Sequence, residues 1–184
     1  EDELRRRPAD CAVEASVGMH TSSVRERVVA TVRGALPFVY TPLYEGGALP
    51  DWVMAIGETP SLQLLPAIDS LTRSYRLQRW FLIGNDYCWP RRSHAMASRT
   101  LRSAASEIVG NRYLPTAALD VERMIDEIRS TRAQAVLMSL VGQDAVDFNR
   151  AFGEAGLAGK VIRLSCAVEE NGLLLMKGAV PGPR

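Results

Sequence analysis

Apolar runs alternate with amphipathic stretches along the chain, and the two periods assign its elements. The short run 11–17 predicts a strand ending at Gly18. Ser22 or Ser23 then caps a helix, with Val24, Val28, Val29 and Val32 on one face and Arg25, Glu26, Arg27 and Arg33 between them, and Gly34 stops it. Runs 36–40 and 52–56 read as strands, separated by a loop containing Thr41-Pro42-Leu43-Tyr44-Glu45-Gly46-Gly47. Thr59-Pro60 opens a helix through Leu62, Leu65, Ile68 and Leu71; Pro66 is compatible with it only if the helix begins just before it or kinks there.

The clearest strand is 79–84, which runs into Asn85-Asp86-Tyr87-Cys88-Trp89-Pro90 and a helix over 91–106. Residues 107–114 alternate as a half-buried strand does. Val121, Met124, Ile125 and Ile128 make the cleanest amphipathic helix. A continuous apolar strand over 135–141 breaks at Gly142, a helix carries Ala145, Phe148, Ala151 and Phe152, and a last strand spans 160–166. A helix interrupted by Gly172 starts at Glu169, and 178–184, rich in Pro and Gly, is a frayed tail. Strands alternating with helices imply an α/β fold with largely parallel sheets flanked by helices.

Composition narrows the function classes. With 184 residues and 47% hydrophobic positions, a sizeable core can form. A net charge of +1 gives no electrostatic reason for nucleic acid or an anionic membrane as partner. No apolar run reaches the ~20 residues of a membrane span. Cys11, Cys88 and Cys166 have neither disulfide-framework nor zinc spacing, so no metal or other cofactor is expected. GxSxG, HExxH, P-loop and GxGxxG patterns are absent, and neither His20 nor His94 has local support for a catalytic pair. His94, within a helix, reads as structural or exposed, and the chain reads as non-catalytic.

Candidate chemistry sits at strand ends, where open α/β sheets bind ligands. His20-Thr21-Ser22-Ser23 sets short hydroxyls at a helix start, where backbone N–H groups are free. Tyr40 and Tyr44, Tyr87 and Trp89, and Gly142-Gln143-Asp144 mark three further strand ends. Aromatic faces beside hydroxyl and amide donors suit a small, neutral, polar ligand.

The segment Phe81-Leu82-Ile83-Gly84-Asn85-Asp86-Tyr87-Cys88-Trp89-Pro90-Arg91 resembles a motif of type I periplasmic binding proteins of the amide and urea branch. Tyr40 to Gly46, Leu140-Val141-Gly142 with Phe148, Ala155 and Gly156, and Leu164-Ser165 with Glu169-Glu170 are similar to later and earlier family segments in the same order. The resemblance implies parts of two ligand-binding lobes, 1–58 and 59–177. It assigns His20, Ser22, Tyr40 and Pro42 to the first lobe's ligand surface, and Tyr87 and Trp89 to the second. Gly142, Gln143 and Ser165 are further candidates. It implies a longer relative, with two strands of the first lobe and the end of the second outside this sequence.

The function implied is solute binding between lobes for an ABC transporter, the ligand being an amide, urea or amino-acid-like molecule. The alternative is a cytoplasmic ligand-sensing regulator domain of the amidase-regulator type. The expected partners are the small ligand and a permease or regulatory protein, with a homo-oligomer possible and nucleic acid not contacted directly. Trp89→Ala is expected to weaken binding at least tenfold with little loss of stability.

Overall fold

The structure, a computed structural model, describes residues 13–118, 120–168 and 170–176. In chain order its elements are β1 (Ser16–Gly18), α1 (Ser22–Val32), β2 (Phe38–Tyr40), β3 (Val53–Ala55), α2 (Leu64–Tyr75), β4 (Arg79–Asn85), α3 (Cys88–Ser103), β5 (Glu107–Leu114), α4 (Val121–Ser130), β6 (Ala135–Ser139), α5 (Gly142–Glu154), β7 (Ile162–Leu164) and α6 (Glu170–Leu175). They form two sheets, ordered β1-β2-β3 and β5-β4-β6-β7, and every strand pair is parallel. The expected α/β architecture of helix-flanked parallel sheets is the one observed. Cys11, the expected helix start at Glu169 and the whole tail 178–184 lie outside the described residues.

The larger sheet shows why its strands read as apolar without alternation. On β4, Phe81 and Ile83 face α4 and α5 with Val136 and Met138 of β6, their register partners. Trp80 and Leu82 face α2 and α3 with Ala135 and Leu137. Both faces of each central strand are thus buried, so both parities must be apolar. α4 supplies Met124, Ile125 and Ile128 to the first of these cores, as its periodicity predicts. In the smaller sheet Phe38, Tyr40 and Val53 pack with Val28 and Val29 of α1, while the opposite row runs Val17, Val39, Met54. Val17 and Met54 are exposed.

Several boundaries differ from the sequence reading for local reasons. α1 starts after Thr21, and neither Thr21 nor a serine caps it by side chain, because the Ser22 hydroxyl is directed elsewhere. Arg33, in the left-handed region at φ 47°, ends it one residue before Gly34. α2 begins at Leu64, which leaves Pro66 in the first turn, where its missing N–H costs nothing. α3 begins three residues earlier than expected, at Cys88. Arg25, read as part of a polar face, is 3% exposed.

Candidate functional site

Strand ends of both sheets converge on one cleft of about 590 Å³. β1 delivers Met19 and His20, β2 delivers Tyr40 and Pro42, β4 delivers Tyr87 and Trp89, and β6 delivers Val141, Gly142 and Gln143. Ser22 lines it from the first turn of α1, and Cys166, Ala167 and Val168 follow β7. Eight of the nine sequence candidates therefore meet: His20, Ser22, Tyr40, Pro42, Tyr87, Trp89, Gly142 and Gln143. Ser165 does not line the cleft; its Oγ accepts from the N–H of Ala167, 3.3 Å away.

Most polar groups on the first-sheet side are already engaged. Tyr40 Oη donates to His20 O at 2.9 Å, fixing the loop after β1, and the His20 ring lies 5.8 Å from that of Phe38. Ser22 Oγ donates to Glu45 Oε2 at 2.8 Å. Arg25 donates to both Glu45 oxygens, and Arg92 of α3 adds a contact of 3.3 Å. The Arg25 guanidinium lies 5.0 Å from each of the Tyr40 and Tyr44 ring centroids, a buried cation between two π faces. Burial pushes the Glu45 carboxyl up, but hydrogen bonds from Arg25 and Ser22 outweigh it and hold the group below the ordinary range. Sequence reading missed Arg25 and Glu45 as a buried pair, since a lone Arg between valines reads as solvated.

On the second-sheet side, Tyr87 and Trp89 stack with centroids 6.3 Å apart. Burial raises the Tyr87 phenol above its ordinary value, so it stays a neutral donor and acceptor. Gly142 opens α5 at φ +58°, a conformation that suits glycine. Gln143 Nε2 donates to Asp147 at 2.7 Å, leaving its carbonyl oxygen for other partners. Asn85 ties the two central strand ends together: its Nδ2 donates to Asp144 at 2.6 Å and its Oδ1 accepts from Val141 N at 2.9 Å. None of the N-cap residues of α1, α3 and α5 makes a side-chain cap bond, whereas Asp120 caps α4. An apolar wall that sequence reading did not assign completes the cleft: Met19, Leu43, Val146, Val168 and Met176. Among the described lining residues there is no Asp, Glu, Lys or Arg.

Glu26, Glu45 and Cys88 bring donor atoms within 4.8 Å of one another. Arg25 and Arg92 already neutralise Glu45, and burial with the Glu45 charge pushes the Cys88 thiol up to about 11, so this cluster is poorly suited to a cation. His94 is fully buried away from the cleft. Its Nδ1 lies 3.2 Å from Asn111 Oδ1 and its Nε2 3.1 Å from Ser139 Oγ. Among the described residues, no helix is long and apolar enough to cross a membrane.

Two parallel sheets turn their carboxyl ends to one cleft, the place where open α/β sheets take ligands. A family model described as periplasmic binding protein matches residues 9–183, and the chain belongs to that family. Solved structures agree in fold. A branched-chain amino acid ABC transporter protein from Thermus thermophilus with bound valine superposes with a TM-score of 0.76 at 12% identity, covering 90% of this chain and 44% of that one. An ABC transporter substrate-binding protein from Sphaerobacter thermophilus gives 0.72 at 18% identity, with 90% and 48% covered. A solute-binding protein from R. palustris in complex with benzoate gives 0.69 at 13% identity, with 81% and 42% covered. The chain thus spans a little under half the length of these relatives.

Proposed function

We propose that this chain supplies part of a solute receptor for an ABC transporter, with residues 1–58 in one ligand-binding lobe and 59–177 in the other. The solute lies in the cleft between them, and no chemical step follows. The ligand is a flat, neutral, polar molecule of the amide or urea class.

The observation that carries this reading is a cleft rich in aromatic and apolar side chains whose described lining residues include no Asp, Glu, Lys or Arg. A buried ammonium without a carboxylate partner loses several kcal/mol of hydration, roughly, which disfavours a zwitterionic amino acid. Tyr87 and Trp89 offer ring faces to a planar amide, and His20, the Tyr87 hydroxyl and the Gln143 carbonyl offer hydrogen bonds. Backbone N–H groups at the starts of α1 and α5, beside Ser22 and Gly142, suit an amide carbonyl. Tyr40 and Pro42 shape the first-lobe wall.

Size favours amides larger than urea. A ligand of about four heavy atoms is limited to roughly −6 kcal/mol, a dissociation constant of some tens of micromolar. A cleft of about 590 Å³ has room for a larger body.

A thermal-shift titration tests this with urea, acetamide, isobutyramide and benzamide against valine and benzoate. A solute bound only to the folded state raises Tm by mass action. We expect benzamide or isobutyramide to give the largest rise. A rise with valine or benzoate alone would overturn the amide assignment, and no rise with any of the six would overturn solute binding by this chain.

A further inference from the structure

Beside the cleft lies a much smaller chamber of about 10 Å³. Leu43, Trp89 and Cys166 belong to the walls of both. The chamber's other lining includes Ser93, from the second turn of α3, and Ser139, at the end of β6. Ser93 is 1% exposed, and among the described residues its Oγ meets no hydrogen-bonding partner. Such a hydroxyl is costly to leave unpaired, and buried polar groups are as a rule satisfied by protein or by ordered water.

The neighbouring bonds fix what Ser93 lacks. Asn111 Nδ2 donates to the Tyr113 hydroxyl, so Oδ1 is the atom turned to His94. His94 Nδ1 therefore donates to Asn111, and a neutral His94 must accept at Nε2. Ser139 supplies that hydrogen, which leaves its lone pairs free and gives it nothing to donate to Ser93. An oxygen between the two serines would accept from Ser93 and donate to Ser139, extending the chain of bonds to Asn111. The volume matches: a single water needs about 10–15 Å³.

We propose that this chamber is a binding site for one hydroxyl-type oxygen, held by Ser93 and Ser139 behind the indole of Trp89. Free water and the hydroxyl of a solute reaching past Trp89 share this chemistry. The water source stands independently of the solute-receptor reading; the solute source rests on it.

The test is a crystal structure of the chain, at a resolution that orders single waters, grown without solute and with 4-hydroxybenzamide. We expect one ordered oxygen in the chamber, about 2.5–3.0 Å from Ser93 Oγ. An isolated oxygen in both crystals identifies water, and density continuous with 4-hydroxybenzamide identifies the solute hydroxyl. No solute density in the cleft, with the chamber oxygen retained, would count against the receptor reading alone. A chamber with no ordered oxygen overturns the proposal, as does a Ser93 hydroxyl turned onto a carbonyl of its own helix. Ser93→Ala is expected to lose the oxygen, and Ser93→Thr, which keeps the hydroxyl, to retain it; an oxygen unmoved in Ser93→Ala overturns Ser93 as its anchor.

Discussion

Arg25 grips both carboxylate oxygens of Glu45, and the pair is buried with almost no exposed surface on either side chain. Glu45 sits directly behind Ser22, whose hydroxyl it accepts, and it reaches α3 through Arg92. The cleft's first wall is therefore built on an ion pair. Removing one partner leaves the other charge buried with only a weaker contact, Glu45 with Arg92 at 3.3 Å or Arg25 with Glu26 at 3.9 Å. Glu45→Ala or Arg25→Ala is expected to cost about 3–5 kcal/mol, by analogy with other broken buried pairs. The double variant Arg25→Met/Glu45→Leu should recover much of that loss. Urea denaturation of the four proteins checks this; additive losses in the double variant would mean the pair is not the unit that matters.

His94 predicts a pH dependence with a defined sign. Burial lowers its pKa from 6.5 to about 4 in the folded chain. The unfolded chain then binds more protons than the folded one between those values, so stability is full above pH 6.5 and falls as pH drops toward 4. Each pH unit in that window costs about 1.4 kcal/mol, to a total of roughly 3 kcal/mol. The lowered Glu45 carboxyl also loses stability on acidification, but only below the ordinary carboxylate range. Unfolding free energies at pH 7.5 and 5.5 should therefore differ mainly through His94. His94→Asn should flatten that difference, and an unchanged slope would reassign it to other groups.

The parts of this fold that obey one period were legible in sequence. Ala135, Val136, Leu137 and Met138 read as a central strand because both faces are covered, and Met124, Ile125 and Ile128 as one buried stripe for the same reason. Strand ends pointed to the cleft because parallel sheets direct their carboxyl ends to one side. What stayed hidden depends on long-range pairing. Arg25 is buried only because Glu45, twenty residues on, reaches it, and periodicity carries no signal for that. The same holds for Asn85 with Asp144 and for His94 with Ser139. Ser165 sat beside the right strand, but its hydroxyl serves the turn to Ala167.

Tyr87 and Trp89, both expected on the ligand surface, differ in how deeply they are buried. Trp89 is 6% exposed, so Trp89→Ala is expected to destabilise by about 3–5 kcal/mol rather than to leave stability untouched. Tyr87 is only half-buried, and among the described residues its hydroxyl has no partner, so Tyr87→Phe isolates one polar contact. Once a solute is found by thermal shift, Tyr87→Phe should weaken it about fivefold, the loss of roughly 1 kcal/mol in a neutral hydrogen bond, with Tm of the free protein unchanged. Titration calorimetry beside a melting curve separates the two outcomes. An equal affinity in Tyr87→Phe would remove the hydroxyl from the site.

The loop that carries Pro42 and Glu45 is held down at a residue outside the cleft. A Cβ at Gly57 would overlap the backbone carbonyl of Pro42, and backbone cannot swing aside as a side-chain tip can. Tyr44 N donates to Glu58 O at 2.9 Å, so the two segments are fastened beside that contact. Gly57→Ala must push the loop outward or break this bond. The shift would move Pro42 from the cleft wall and draw Glu45 from Arg25 and Ser22. We expect a loss of about 1–3 kcal/mol from overpacking, together with weaker solute binding although no lining residue has changed. Gly46→Ala is the control on the same loop, since its Cβ meets nothing within 4 Å and only its φ of +81° opposes the change. If Gly57→Ala melts like the wild type and keeps its solute affinity, the loop is not positioned by this contact.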